Sequence, residues 1–276
     1  MLTALDSEDS WLAVSAAEGL ARYVSRAADA APKLLAAAGP SRSLAVRVTA
    51  LTTLAAIAPQ QGLNEAVALA RIDNPAARTA ARQALGRMGP NGNDRLTALI
   101  VEGILPAPSA TRPARLVPAP KTLAEYRRLV ERWIVPDYAG QAKPRAIWET
   151  PRGPIEIELY PGDAPMGVEY FVTMIESGAI VGTEFTRVVP NFVAQQRAIR
   201  EDAALRDEVN RHGLTRGNLS WASAGLDTGR PGYTLGSTPQ PHNEGNFTAL
   251  GRVVSGMDAV DRLELGDRVT AARLKR

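Results

Sequence analysis

The sequence predicts a chain of mixed class, with a stack of short helices over residues 1–105 followed by a β-rich domain over 144–276. Three observations carry this reading. Before Leu105, apolar residues recur at helical spacing in an alanine-rich background. Between Leu105 and Pro120, five prolines (Pro106, Pro108, Pro113, Pro118 and Pro120) are too dense for a helix or a central strand. Beyond Pro144, apolar and polar residues alternate with a period of two.

The helical segment carries only two aromatics, Trp11 and Tyr23, and repeats itself. Ala13, Ala16 and Leu20 reappear as Arg47, Ala50 and Leu54, and again as Arg78, Ala81 and Leu85. The leucines recur roughly 30–35 residues apart, inside the range of repeat arrays. Gly39-Pro40 is expected to close one helical pair, and Gly89-Pro90-Asn91-Gly92 to interrupt a later one. Ser10, Ser43 and Asn74-Pro75 supply helix-start signals. Small alanines permit close helix approach, and stacked pairs cover apolar faces that one pair leaves open. The Arg-x-x-Ala-x-x-x-Leu pattern beginning at Arg47 and Arg78 resembles HEAT-like helical repeats. That resemblance implies an α-solenoid, read either as a docking surface for a protein partner or as a spacer.

Residues 106–143 are the expected linker. Within it, Thr122–Trp133 forms one amphipathic helix with Leu123, Tyr126, Leu129, Val130 and Trp133 on its apolar side, stopped by Pro136. In the β-rich domain, Ala146–Thr150, a turn at 151–154 and Ile155–Tyr160 read as a hairpin. Glu156 and Glu158 alternate with Ile155, Ile157 and Leu159, which makes them a solvated strand face and not a catalytic carboxylate pair. Pro165–Gly178 reads as a helix burying Val168, Phe171, Val172 and Ile175.

Composition narrows the function. A balance of 32 basic to 29 acidic residues gives only +3, short of the clustered charge that nucleic acid or a membrane surface demands. With no cysteine, disulfides, thiolate chemistry and zinc–thiolate sites are excluded. No apolar run reaches membrane-span length, so no membrane partner is expected. The start, MLTALDSEDSWLAV, lacks a basic region, so a cytoplasmic address is the default expectation unless a leader precedes it.

The informative segment is Gly182-Thr-Glu-Phe-Thr-Arg-Val-Val-Pro-Asn-Phe-Val-Ala-Gln195. It resembles the signature of the cyclophilin-type peptidyl-prolyl isomerases. Collinear matches follow at Asp207-Glu208, Gly217–Gly225, Asp227-Thr-Gly229, Pro241-His242, Gly245, Thr248, Gly251–Val253 and Gly256–Val260. The resemblance implies an eight-stranded antiparallel β-barrel with two capping helices and a prolyl isomerase acting on proline-containing peptides or unfolded clients. It assigns the catalytic guanidinium to Arg187 and the proline pocket to Phe192, Val193 and Phe247. Gln195 would hold the arginine or the substrate backbone, Ala222 and Ser223 would pair with the extended peptide, and His242 would touch it at the rim. No cofactor or metal is required, and the two histidines, His212 and His242, have no spacing that pairs them.

The chain departs from the family pattern at several positions. Thr186 replaces a histidine, and the glycine-rich stretch after Gln195 is short and charged. Gly232 stands for a substrate-contacting glutamine, Thr234 for a pocket phenylalanine and Asn243 for a leucine. These losses of apolar wall predict a weak isomerase; the alternative is a catalytically inactive peptide-binding scaffold. Tyr233 or Arg197 filling the groove would mark the inactive case.

Overall fold

The structure, a computed structural model, describes residues 1–22, 27–107, 121–199 and 204–275. The linker prolines from Pro108 to Pro120, Tyr23, and most of the charged stretch after Gln195 (200–203) lie outside the described residues. The chain divides into two compact units, residues 1–112 with 264–266, and residues 113–263 with 267–276.

Among the described residues, the first unit holds a short 3-10 turn (Ala4–Asp6) and six α-helices: α1 (Ser10–Leu20), α2 (Ala27–Ala37), α3 (Leu44–Ile57), α4 (Leu63–Ala70), α5 (Pro75–Arg87) and α6 (Gly89–Val101). The repeated positions do equivalent work on α1, α3 and α5. Ala16, Ala50 and Ala81 are buried with Leu20, Leu54 and Leu85, and α3 packs against both α1 and α5. Thr53 ties the first seam by donating to the Ala17 carbonyl at 3.0 Å. One expectation needs correction and another refinement. Asp9, not Ser10, caps α1, its carboxylate accepting from Trp11 N and Leu12 N, while Ser10 bonds Ser43. Gly89–Gly92 does separate two helices, since α5 ends at Arg87 and α6 begins at Gly89, but it does so as the first turn of α6 and not as a loop, because Pro90 needs no N–H there. Gly92 is required at that turn, since a Cβ would lie 2.2 Å from the Leu85 carbonyl.

The linker helix also differs from its expectation. It opens as α7 (Leu123–Leu129) with a Thr122/Glu125 capping box, widens into a π turn over Val130–Ile134, and continues as α8 (Val135–Tyr138). Pro136 does not stop it, because the new turn begins there and leaves no donor missing. Leu129 is buried and Trp133 half-buried, whereas Leu123, Tyr126 and Val130 are exposed. Polar anchoring decides which face lies down. Glu169 accepts from Trp133 Nε1 at 2.7 Å and pairs with Arg128 and Arg132 at 2.9 and 3.0 Å.

The second unit is one antiparallel sheet of eight strands: β1 (Arg145–Thr150), β2 (Gly153–Leu159), β3 (Phe185–Val189), β4 (Val193–Gln196), β5 (Asn218–Ala222), β6 (Arg230–Gly236), β7 (Ala249–Ser255) and β8 (Ala271–Lys275). Their order across the sheet is β3-β4-β6-β5-β7-β2-β1-β8. The sheet curls into a half-barrel flanked by α9 (Pro165–Glu176) and α10 (Met257–Asp261). Backbone bonds from Gly182 N to Val269 O and from Phe185 N to Asp267 O join its two ends. Inward positions of the first hairpin (Ala146, Trp148, Ile155, Ile157, Leu159) are fully buried with Phe171, Trp221 and Tyr233. Phe171 meets Tyr233 edge-on at 4.8 Å. Glu156 and Glu158 face outward as expected, bridged by Arg145 at 2.9 and 3.1 Å. Helix α9 lies close on the sheet at Gly167, where a Cβ would come within 2.7 Å of the Trp221 ring.

Candidate active site

The site grows from one row of residues across four neighbouring strands. Antiparallel register places Arg187 of β3 opposite Gln195 of β4, Gln195 opposite Thr234 of β6, and Thr234 opposite Ser220 of β5. All four line a single cavity of about 220 Å³. The β3–β4 turn aims the head of that row, with Asn191 in the left-handed region (φ 56) and Phe192 N bonded to the Val189 carbonyl. Arg187 Nη1 donates to Gln195 Oε1 at 3.4 Å, and its guanidinium lies 5.4 Å from the centre of the Phe192 ring. The cation is therefore held at the cavity wall by an amide and an aromatic face, with no carboxylate neutralising it among the described residues.

The cavity brings together nearly all the residues singled out from the sequence: Arg187, Phe192, Val193, Gln195, Ala222, Ser223 and Phe247. His242 is the exception. It sits in the exposed turn Pro241–Asn243, stacked on Phe192 at 5.7 Å, and supports that ring from outside the cavity. Tyr233 is buried in the core and leaves the groove open.

Polar groups occupy the wall where the departures predicted them. Thr234 Oγ1 and Ser220 Oγ share a hydrogen bond at 2.6 Å. Asn243 Nδ2 donates to Gln240 Oε1 at 2.9 Å, and Gln240 Nε2 donates to the Phe192 carbonyl at 3.0 Å. Each polar side chain thus has a partner, which limits the cost of placing it at the wall. Three lining residues escaped the sequence reading: Leu214, Ser220 and Gln240. Ser220 was accessible to it, since it stands two positions before Ala222 on the same strand face. Leu214 and Gln240 carry no local signal.

The acidic pair supports the scaffold. Asp207 and Asp227 exchange backbone bonds, Asp227 N donating to Asp207 Oδ2 at 2.7 Å and Asp207 N to Asp227 Oδ1 at 3.0 Å. Glu208 accepts from Met166 N and Gly167 N at 3.0 and 2.7 Å, capping α9 from another part of the chain. Burial pushes its carboxyl up to about 7, outweighing the two backbone donors. Among the described residues, no group of three His, Asp or Glu side chains is placed to hold a metal, and no helix is long and apolar enough to cross a membrane.

A single curled antiparallel sheet thus carries one cavity whose wall joins an arginine, a glutamine and two phenylalanines. Residues 146–276 match the family model of the cyclophilin type peptidyl-prolyl cis-trans isomerase/CLD. A peptidyl-prolyl cis-trans isomerase of Helicobacter pylori is 34% identical over 134 residues, covering 44% of this chain and 81% of that protein. Peptidyl-prolyl cis-trans isomerase B of Bacillus subtilis is 34% identical over 129 residues, covering 44% of this chain and 90% of that protein. A solved cyclophilin type isomerase of Cryptosporidium parvum superposes with a TM-score of 0.45 at 16% identity, over 49% of this chain and 98% of that one. The chain belongs to the cyclophilin-type peptidyl-prolyl isomerases, and its second unit is the isomerase domain.

Proposed function

We propose that the chain is a weak prolyl isomerase for flexible clients, in which Arg187 stabilises the twisted peptide bond. Rotation about an X–Pro bond is opposed by amide resonance, with an activation energy of roughly 20 kcal/mol. At the twisted midpoint the proline nitrogen is no longer conjugated and offers a lone pair. A guanidinium fixed beside it donates a hydrogen bond that the planar ground state cannot accept, which is stabilisation specific to the transition state. Phe192, Val193 and Phe247 would grip the proline ring, and Gln195 would orient Arg187. The ladder between β5 and β7 ends at Ser220, so the sheet edge at Ala222 and Ser223 is open to an extended peptide. The observation carrying the reading is the position of Arg187 on the wall of the same cavity as Phe192, Val193 and Phe247.

A charge-assisted bond of about 1.5–3 kcal/mol sets the expectation for Arg187→Ala, a fall in kcat/KM of roughly 10- to 100-fold in a proline-limited refolding assay. The polar wall formed by Ser220, Thr234, Gln240 and Asn243 supports a second reading, a scaffold that holds chains without turning them. Wild type and Arg187→Ala both matching the uncatalysed rate would select that second reading. For the first unit, we propose a HEAT-like stack of helical pairs that docks clients or a protein partner, supported by the equivalent burial of the three alanine–leucine sets.

A further inference from the structure

The helical stretch from Leu123 to Tyr138 buries one side and leaves the other bare. Leu129 and Trp133 settle the buried side, together with Glu169, which holds Arg128 and Arg132. The opposite side carries Leu123, Tyr126, Val130, Ile134 and Tyr138, three or four residues apart and therefore in one row. The π turn over Val130–Ile134 closes its bonds one residue further on than an α turn, which offsets the drift of a four-residue spacing. Ile134 is half-buried and the other four are exposed, Leu123 at 66% and Tyr138 at 72%. Of the twelve large apolar side chains exposed among the described residues, five lie on this stretch, those four and Val135. Such a row differs from apolar residues scattered singly over a surface. Along one edge of it run Arg127, Glu131 and Val135, four residues apart. Arg127 and Glu131 are exposed, and neither side chain makes a hydrogen bond or ion pair with the described residues.

We infer that this face docks a second copy of the chain, the two helices lying antiparallel across a two-fold axis. Charge complementarity selects that occupant. An antiparallel two-fold pairing brings the same edge of both helices together. The register that sets Arg127 level with Glu131 of the second copy also sets Leu123 level with Val135 of that copy. One shift therefore forms opposite-charge pairs in both directions and covers the apolar row. A parallel pairing would set arginine against arginine and glutamate against glutamate. An unfolded client has no fixed charge pattern to match this edge, whereas a second copy matches it by symmetry. At 1.5 Å per residue the stretch is only about 24 Å long. The contact then falls at the small end of interfaces, below about 1,200 Å² in total, and the dimer is weak, with Kd on the order of 10–100 µM. This inference is independent of the catalytic reading.

Sedimentation velocity of the full chain from about 1 to 300 µM should show a concentration-dependent shift from monomer to dimer. Val130→Asp, at an exposed position outside the core, should keep the chain monomeric throughout. Arg127→Glu alone, or Glu131→Arg alone, turns both pairs into like-charge contacts and should raise Kd roughly tenfold. Mixing those two variants in equal amounts should restore a dimer of wild-type strength. One chain then brings two negative charges to the edge and the other two positive ones, a gain that misfolding cannot produce. The wild-type dimer should also loosen as salt is raised. A chain that stays monomeric at every concentration overturns the inference. A dimer that Val130→Asp and both charge variants leave unchanged also overturns it, by placing the interface elsewhere. Monomers that bind anionic lipid vesicles instead, with binding lost in Val130→Asp, would assign the face to a membrane surface and overturn it too.

Discussion

The activity depends on how dry the wall beside Arg187 can be while still holding Thr234 and Ser220. Their shared hydrogen bond of 2.6 Å keeps both hydroxyls satisfied but presents oxygen where a twisted, less polar amide gains from hydrocarbon. Replacing only one would strand the other. Replacing both with groups of matching shape leaves no unpaired partner and costs little stability. The double variant Ser220→Ala with Thr234→Val is therefore expected to fold normally and to raise kcat/KM by roughly two- to fivefold, in line with about 0.8 kcal/mol per apolar group added to the wall. An unchanged or lower rate in the same peptide assay would show that the polar pair does not limit catalysis. Arg187→Ala probes the opposite side of the cavity, where the cation and not the wall is at stake.

At the scale of elements, the capping of α9 is the feature most exposed to pH. Ala164 provides no side-chain cap, so the first donors of the helix turn to Glu208. A buried carboxyl raised from 4.5 to about 7 binds its proton more tightly folded than unfolded. Stability linked to this group is therefore greatest below pH 4.5 and is lost as pH rises through 7. Glu208→Gln removes the titration while keeping an acceptor for the helix. Relative to wild type, the variant should gain stability progressively between pH 4.5 and 7.5, by on the order of 3 kcal/mol at the top of the range. Denaturant midpoints measured across that window check this, and a difference that stays flat with pH would place the carboxyl's titration elsewhere. Glu156 acts in the opposite sense and in a different window. Arg145 first, then Lys275, hold it below the usual carboxylate range, so its contribution is lost on acidification.

For the whole molecule, the chain couples an enzyme domain to a helical unit with its own core. If the helices dock clients, they act by raising the local concentration of unfolded chain and not by altering the chemistry. Removing residues 1–105 should then raise KM for a large unfolded client, on the order of tenfold, and leave kcat/KM for a proline tetrapeptide unchanged. Equal KM values for the large client with and without the helices would reduce the first unit to a spacer.

Much of this architecture was legible in the chain before folding was considered. The hairpin at 145–159 and helix α9 with Val168, Phe171, Val172 and Ile175 inside follow from spacing between near neighbours, because secondary-structure period is a local property, whereas the Arg187–Gln195 segment stood out only by its resemblance to a family signature. The alanine–leucine sets of α1, α3 and α5 were legible for the same reason. Misreadings came where partners are remote. Pro136 was expected to end a helix that Glu169 anchors from α9. The sequence by itself determined two classes of structure, and its resemblance to a family signature singled out Arg187 as the candidate arginine. Only the tertiary structure decided that β6 lies between β4 and β5, because strand order is set by how the sheet closes and not by any one strand's residues. That order puts Gln195, Thr234 and Ser220 in one row and lets Glu208 reach α9.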